Sequence, residues 1–85
     1  SGIAKVNQEN PLTVYVEKES DTLHVKTKKI IEAVKINNIS GQVLFAKNFK
    51  DGSYSEQIDL SGFNRGVYVV SVKTEAALAS TTFIY

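Results

Sequence analysis

The sequence predicts an all-β fold, an antiparallel sandwich of about seven short strands, and three observations carry that reading. The apolar residues are mainly Val, Ile, Leu, Tyr and Phe, a β-branched and aromatic set that favours strands. Short apolar stretches recur every eight to twelve residues, separated by Ser-Gly, Asp-Gly and Arg-Gly breaks. No stretch has the length or period of a helix, and the helix-prone run Glu75 to Ser80 is too short to stand alone and reads as a turn.

The first ten residues read as an extended lead-in, with Ile3 to Gln8 a weak strand candidate and Asn10-Pro11 a break. Leu12 to Val16 alternates as a strand does. After the polar turn Glu17 to Asp21, Thr22 to Lys26 places Leu23 and Val25 on one face and His24 on the other. Ile31 to Ile39 is the longest early strand, with Val34 and Ile36 inward and Lys35 and Asn37 outward. Ile39-Ser40-Gly41-Gln42 is a tight turn in which Gly41 can take positive φ without steric cost. Gln42 to Phe49 returns antiparallel, with Val43, Phe45 and Phe49 expected in the core. A second turn, Lys50 to Ser53, is built on Asp51-Gly52. Ser55 to Leu60 turns Ile58 and Leu60 to one face, and Gly66 ends the connection into Val67 to Lys73, apolar enough for a central strand. Ala77 to Tyr85 closes the sheet. A leucine ending one strand, a short link, and Tyr68 just inside the next resemble the tyrosine corner of immunoglobulin-like sandwiches, which makes the sandwich immunoglobulin-like and gives Tyr68 a structural role.

Composition narrows function mostly by exclusion. Eighty-five residues, 42% of them apolar, suit one domain with a single thin core, here taken as residues 1–85. With no cysteine, stability rests on packing and strand pairing. Ten basic and nine acidic side chains give a net charge of +1, so no global field draws the domain to nucleic acid. The run Lys26, Lys28, Lys29 reads as a solvated turn or charged sheet edge. No apolar stretch approaches a membrane span, and Ser1 to Lys5 lacks the pattern of a secretory signal; the signal of an exported form has been removed or lies in a longer precursor.

Chemistry is absent as well. His24 is the sole histidine, so no two-histidine metal site exists. Asp51, Glu56 and Asp59 lack the close alternating spacing of a calcium loop. No serine sits in a Gly-x-Ser-x-Gly elbow and no glycine-rich loop is built for phosphate, so the protein is expected to be neither an enzyme nor a cofactor binder. An adhesion or carbohydrate-binding module would need Tyr15, Tyr54 and Tyr85 exposed on one plane.

Val34 to Phe45 (VKINNISGQVLF), followed by Ile58 to Val72 (IDLSGFNRGVYVVSV), resembles the C-terminal sorting domain of the type IX (Por) secretion system of the Bacteroidetes. That family shows an Asn-x-x-Gly turn, an apolar strand, an Asp/Asn-Leu-Ser segment and a Gly-x-Tyr strand. The chain keeps Tyr15 and Asp21-Thr22-Leu23 but lacks the two prolines that usually precede them, and its closing strand lacks the family's lysines. A related family of small secreted immunoglobulin-like Bacteroides proteins shares the layout. The resemblance implies a non-catalytic address, read by an outer-membrane translocon and removed by a sortase-like protease. It further implies passage through the periplasm to the cell surface or medium. Such an address needs an accessible terminal strand for β-augmentation, and Phe83, Ile84 and Tyr85 are the candidate contacts.

Overall fold

The computed structural model describes residues 12–75 and 77–85. The lead-in, Asn10-Pro11 and any strand over Ile3 to Gln8 lie outside the described residues. Within them the fold is seven strands and no helix: β1 (Thr13–Glu17), β2 (Thr22–Lys26), β3 (Ile31–Asn38), β4 (Val43–Asn48), β5 (Ser55–Asp59), β6 (Val67–Thr74) and β7 (Leu78–Ile84). They form a three-stranded sheet in the order β1-β2-β5 and a four-stranded sheet in the order β4-β3-β6-β7, every pairing antiparallel. This is the immunoglobulin-like sandwich expected from the sequence. β6 takes the central place its apolar run demands, because both its neighbours bury side chains against it.

Alternation of side chains decides what fills the interior. Leu23 and Val25 from β2, Ile58 with Leu60, Val34 and Ile36 from β3, and Tyr68, Val70 and Val72 from β6 are buried, joined by Leu12, Ile31, Phe83 and Tyr85. Each fully buried aliphatic side chain contributes about 1.5–3 kcal/mol. In a chain this small and without crosslinks, the loss of one is a large share of the net stability.

Two irregularities re-aim side chains. The pairing of β3 with β6 slips between Ile31 and Ala33, so Ile31 faces the core although its spacing from Val34 is odd. The pairing of β3 with β4 slips between Ile36 and Asn37: Phe45 lies opposite Ile36, but Val43 lies opposite Asn37, leaving Leu44 as the extra residue. Val43 was expected inside and is instead half exposed, because the bulge turns it onto the outer face with Asn37. Phe45 and Phe49 do pack against the core, each partly buried.

The turns follow the glycines, for different reasons. Gly41 has φ of +95°, in a turn organised by Asn38, whose Oδ1 accepts from the Ser40 and Gln42 amides at 3.1 and 2.9 Å. Gly52 has ordinary φ but lies against the Ile31 carbonyl, where a Cβ would fall 1.9 Å from its oxygen. Gly66 serves as a pairing residue: its N–H and C=O exchange hydrogen bonds with Tyr85 at 3.2 and 2.9 Å. The segment expected to be a turn over Glu75 to Ser80 is a tighter hairpin. The Thr74 amide donates to the Ala77 carbonyl at 2.8 Å, and Leu78 to Ser80 already belong to β7.

Candidate functional site

A sheet edge carries backbone donors and acceptors without a partner strand, so the four edges of the sandwich are its candidate recognition surfaces. Three carry ordinary protection. β1 ends in Glu17, β5 bears Glu56 and Asp59, and β4 combines its bulge with Lys47. β7, Leu-Ala-Ser-Thr-Thr-Phe-Ile, has no charged residue, no proline and no register slip along seven residues. Among the described residues it pairs only with β6, while β1 of the other sheet comes close to it.

The β6–β7 register fixes which backbone groups face outward. Gly66 and Tyr85 exchange both hydrogen bonds, and so mark a hydrogen-bonded pair. Such pairs alternate in an antiparallel ladder, so Tyr68–Phe83, Val70–Thr81 and Val72–Ala79 are hydrogen-bonded and the intervening pairs are not. The N–H and C=O groups of Leu78, Ser80, Thr82 and Ile84 therefore point away from β6. The side chains of the same residues stand on the outer face, where Leu78 and Ile84 are 70% and 73% exposed.

Phe83 and Tyr85 face the other way. Phe83 is buried and stacks on Tyr68 with ring centroids 5.7 Å apart, while Phe63 meets Tyr68 edge-on at 5.4 Å. The Tyr68 hydroxyl donates to the Asn64 carbonyl, the local bond back that defines a tyrosine corner. Tyr85 is buried with Arg65 over its ring at 5.0 Å. Burial pushes its phenol above the ordinary range, reinforced by a hydrogen bond to the Asp21 carboxylate. Of the three expected contact residues, only Ile84 has an exposed side chain. Phe83 and Tyr85 are corrected to core anchors, because two positions on one strand share one face and that face is the interior. The signal was present in the i, i+2 spacing of the two aromatics; the outward backbone set needed the pairing itself.

The remaining candidates are separately engaged. Tyr15 lies flat on His24 at 4.6 Å, Lys26 sits 5.7 Å from the Tyr15 ring centroid, and His24 Nε2 is 2.8 Å from Glu17 Oε1. That hydrogen bond to His24 is the first cause holding the Glu17 carboxyl below its usual value. With Tyr85 in the core, Tyr15 and Tyr54 make no three-ring platform. Asp59 accepts from the Ser61 amide at 2.9 Å, which lowers its pKa, and Glu56 accepts from the Ser53 hydroxyl at 3.3 Å. Among the described residues no three His, Asp or Glu side chains are grouped to hold a metal, and no helix is long and apolar enough to cross a membrane.

A structural neighbour is a DUF3244 family protein with an immunoglobulin-like β-sandwich fold from Bacteroides vulgatus ATCC 8482. It is 15% identical, with a TM-score of 0.72 over 95% of this chain and 89% of that one, a likeness of fold. No curated protein matches in sequence. The family model described as "Secretion system C-terminal sorting domain" matches residues 10–85, nearly the whole sequence, including every strand of the sandwich. The chain therefore belongs to the secretion system C-terminal sorting domain family.

Proposed function

We propose that residues 1–85 act as a non-catalytic address, read by an outer-membrane translocon through strand addition to β7 and then removed by a sortase-like protease. Membership of the sorting-domain family makes the protein a secreted or cell-surface one; the route through the periplasm and the two partners belong to the proposal. The observation that carries it is the contrast between β7 and the other edges: a regular, uncharged strand with four residues aiming N–H and C=O outward. A partner strand gains main-chain hydrogen bonds there.

Deleting β7 would not test this, because Phe83 and Tyr85 would leave the core with it. A proline scan separates the two roles. Thr82→Pro removes an outward N–H and is tolerated as prolines are on edge strands, whereas Thr81→Pro removes a bond to β6. Behind a signal peptide and reporter in a type IX-competent bacterium, the parent sequence is expected to reach the surface. Thr82→Pro should keep its cooperative thermal transition and lose delivery. Full delivery by a folded Thr82→Pro variant would overturn strand addition, and periplasmic retention of the intact fusion would overturn sorting.

A further inference from the structure

The two outer faces of the sandwich differ in how their charges are met. On the three-stranded sheet, Glu17, His24, Tyr15 and Lys26 engage one another. On the four-stranded sheet, the register brings Lys35 and Lys73 onto diagonal positions of β3 and β6, beside the small residues Ala33 and Ser71. Lys47 lines the same shallow cup of about 260 Å³, whose rim at the β7 edge is Leu78. The Ser71 and Ser80 hydroxyls are 2.9 Å apart and carry this polar floor out to β7. No registered position of this face is a carboxylate. Glu32 at the β3 bulge and Glu75 in the β6–β7 turn stand at its margin, and the sole ion pair among the described residues is His24–Glu17.

The opposite end of the face is apolar. Thr82 and Ile84 lie across from Val69 and Val67, and beyond them stand Asn37 and the bulged pair Val43 and Leu44, with Val67, Val43, Leu44 and Ile84 all exposed. A strand added to β7 therefore meets two different neighbourhoods along its length. Beside Leu78 and Ser80 it lies one strand from Lys73, a spacing of roughly 10 Å from β6 that a lysine stem and a glutamate stem span together. Beside Thr82 and Ile84 it meets valines.

Resting on the strand-addition reading, we propose that the segment received by β7 is an amphipathic protein strand. It carries carboxylates on the outer-face positions beside Leu78 and Ser80 and apolar side chains beside Thr82 and Ile84. Lys35 and Lys73 select it by charge, and the apolar end fixes its register. Its inward side chains continue the row of Ala79, Thr81 and Phe83 and are apolar too.

The test reverses charge on the face and off it, using the reporter fusion described above. Lys35→Glu/Lys73→Glu is expected to lower surface delivery at least tenfold with its thermal transition kept. Lys35→Gln/Lys73→Gln should fall between it and the parent, and serves if the reversed pair does not fold. Lys28→Glu/Lys29→Glu, an equal charge change in the β2–β3 turn, should deliver as the parent does. Unchanged delivery by both Lys35/Lys73 variants, with Thr82→Pro still blocked, overturns the acidic-strand inference and leaves strand addition standing. Unchanged delivery by Thr82→Pro overturns the reading beneath it. Equal loss with Lys28→Glu/Lys29→Glu, or binding to phosphatidylglycerol vesicles that requires Lys35 and Lys73, overturns selection of a protein strand in favour of bulk charge or a membrane surface.

Discussion

β4 and β7 flank the same sheet and meet the same solvent, yet they are built as opposites. β4 is broken by a bulge at Leu44, turns Val43 outward and keeps Lys47 beside the half-buried Phe49, with the ammonium 5.2 Å from that ring's centroid. β7 is straight in register, uncharged, and anchored from within by Phe83 and Tyr85. An irregular, charged edge resists pairing with another chain, and a regular one invites it. The difference teaches that availability of an edge depends on what holds the strand from behind. β7 can expose a full row of backbone groups because its inner side chains are locked in the core.

The sharpest way to break that comparison is to remove the lock. Phe83→Ala should cost about 3–5 kcal/mol by chemical denaturation, the range for a buried phenylalanine. Phe45→Ala, on the partly buried side of β4, should cost clearly less. Equal losses would mean that the two edges are held alike. A smaller effect, on the β4 side, comes from Gly41→Ala. A Cβ at φ of +95° strains the β3–β4 turn by about 1–2 kcal/mol, visible as a lowered melting temperature, with the β7 amides undisturbed in hydrogen exchange.

The smallest effect is a pH dependence at the end of β7. The Tyr85 phenol is raised in the folded state, first by burial and then by Asp21, so its contribution is fully present below the unfolded value of 10.0. That contribution is lost as pH rises through the higher folded value. Thermal melts of the parent protein should therefore weaken above pH 10 more than those of Tyr85→Phe. Identical pH profiles would show that the phenol is not part of the lock.

Much of this was legible from residue order. The alternation in Thr22 to Lys26 marks β2 to the residue, and the apolar run Val67 to Val70 after Gly66 marks a central strand. Leu60, the short link and Tyr68 point to a corner, and the Tyr68 hydroxyl reaches Asn64 as that motif requires. What residue order hid is where pairing slips. Val43 alternates correctly with Phe45 on paper, and only the bulge opposite Asn37 turns it outward. The candidate surface was harder still. Charge, alternation and turn residues are properties of one segment, whereas the direction of a backbone N–H on β7 follows from how Gly66 meets Tyr85, nineteen positions apart.

That Gly66–Tyr85 pairing also bears on the order in which the chain is made. β7 follows the other six described strands in chain order, and until it docks, the buried faces of Tyr68, Val70 and Val72 lack their cover from Ala79, Thr81 and Phe83. A chain cut short before β7 therefore has neither a finished interior nor an edge to show. An intact β7 edge is therefore found only on a molecule whose six earlier strands have already been translated, because β7 completes the interior that those strands begin.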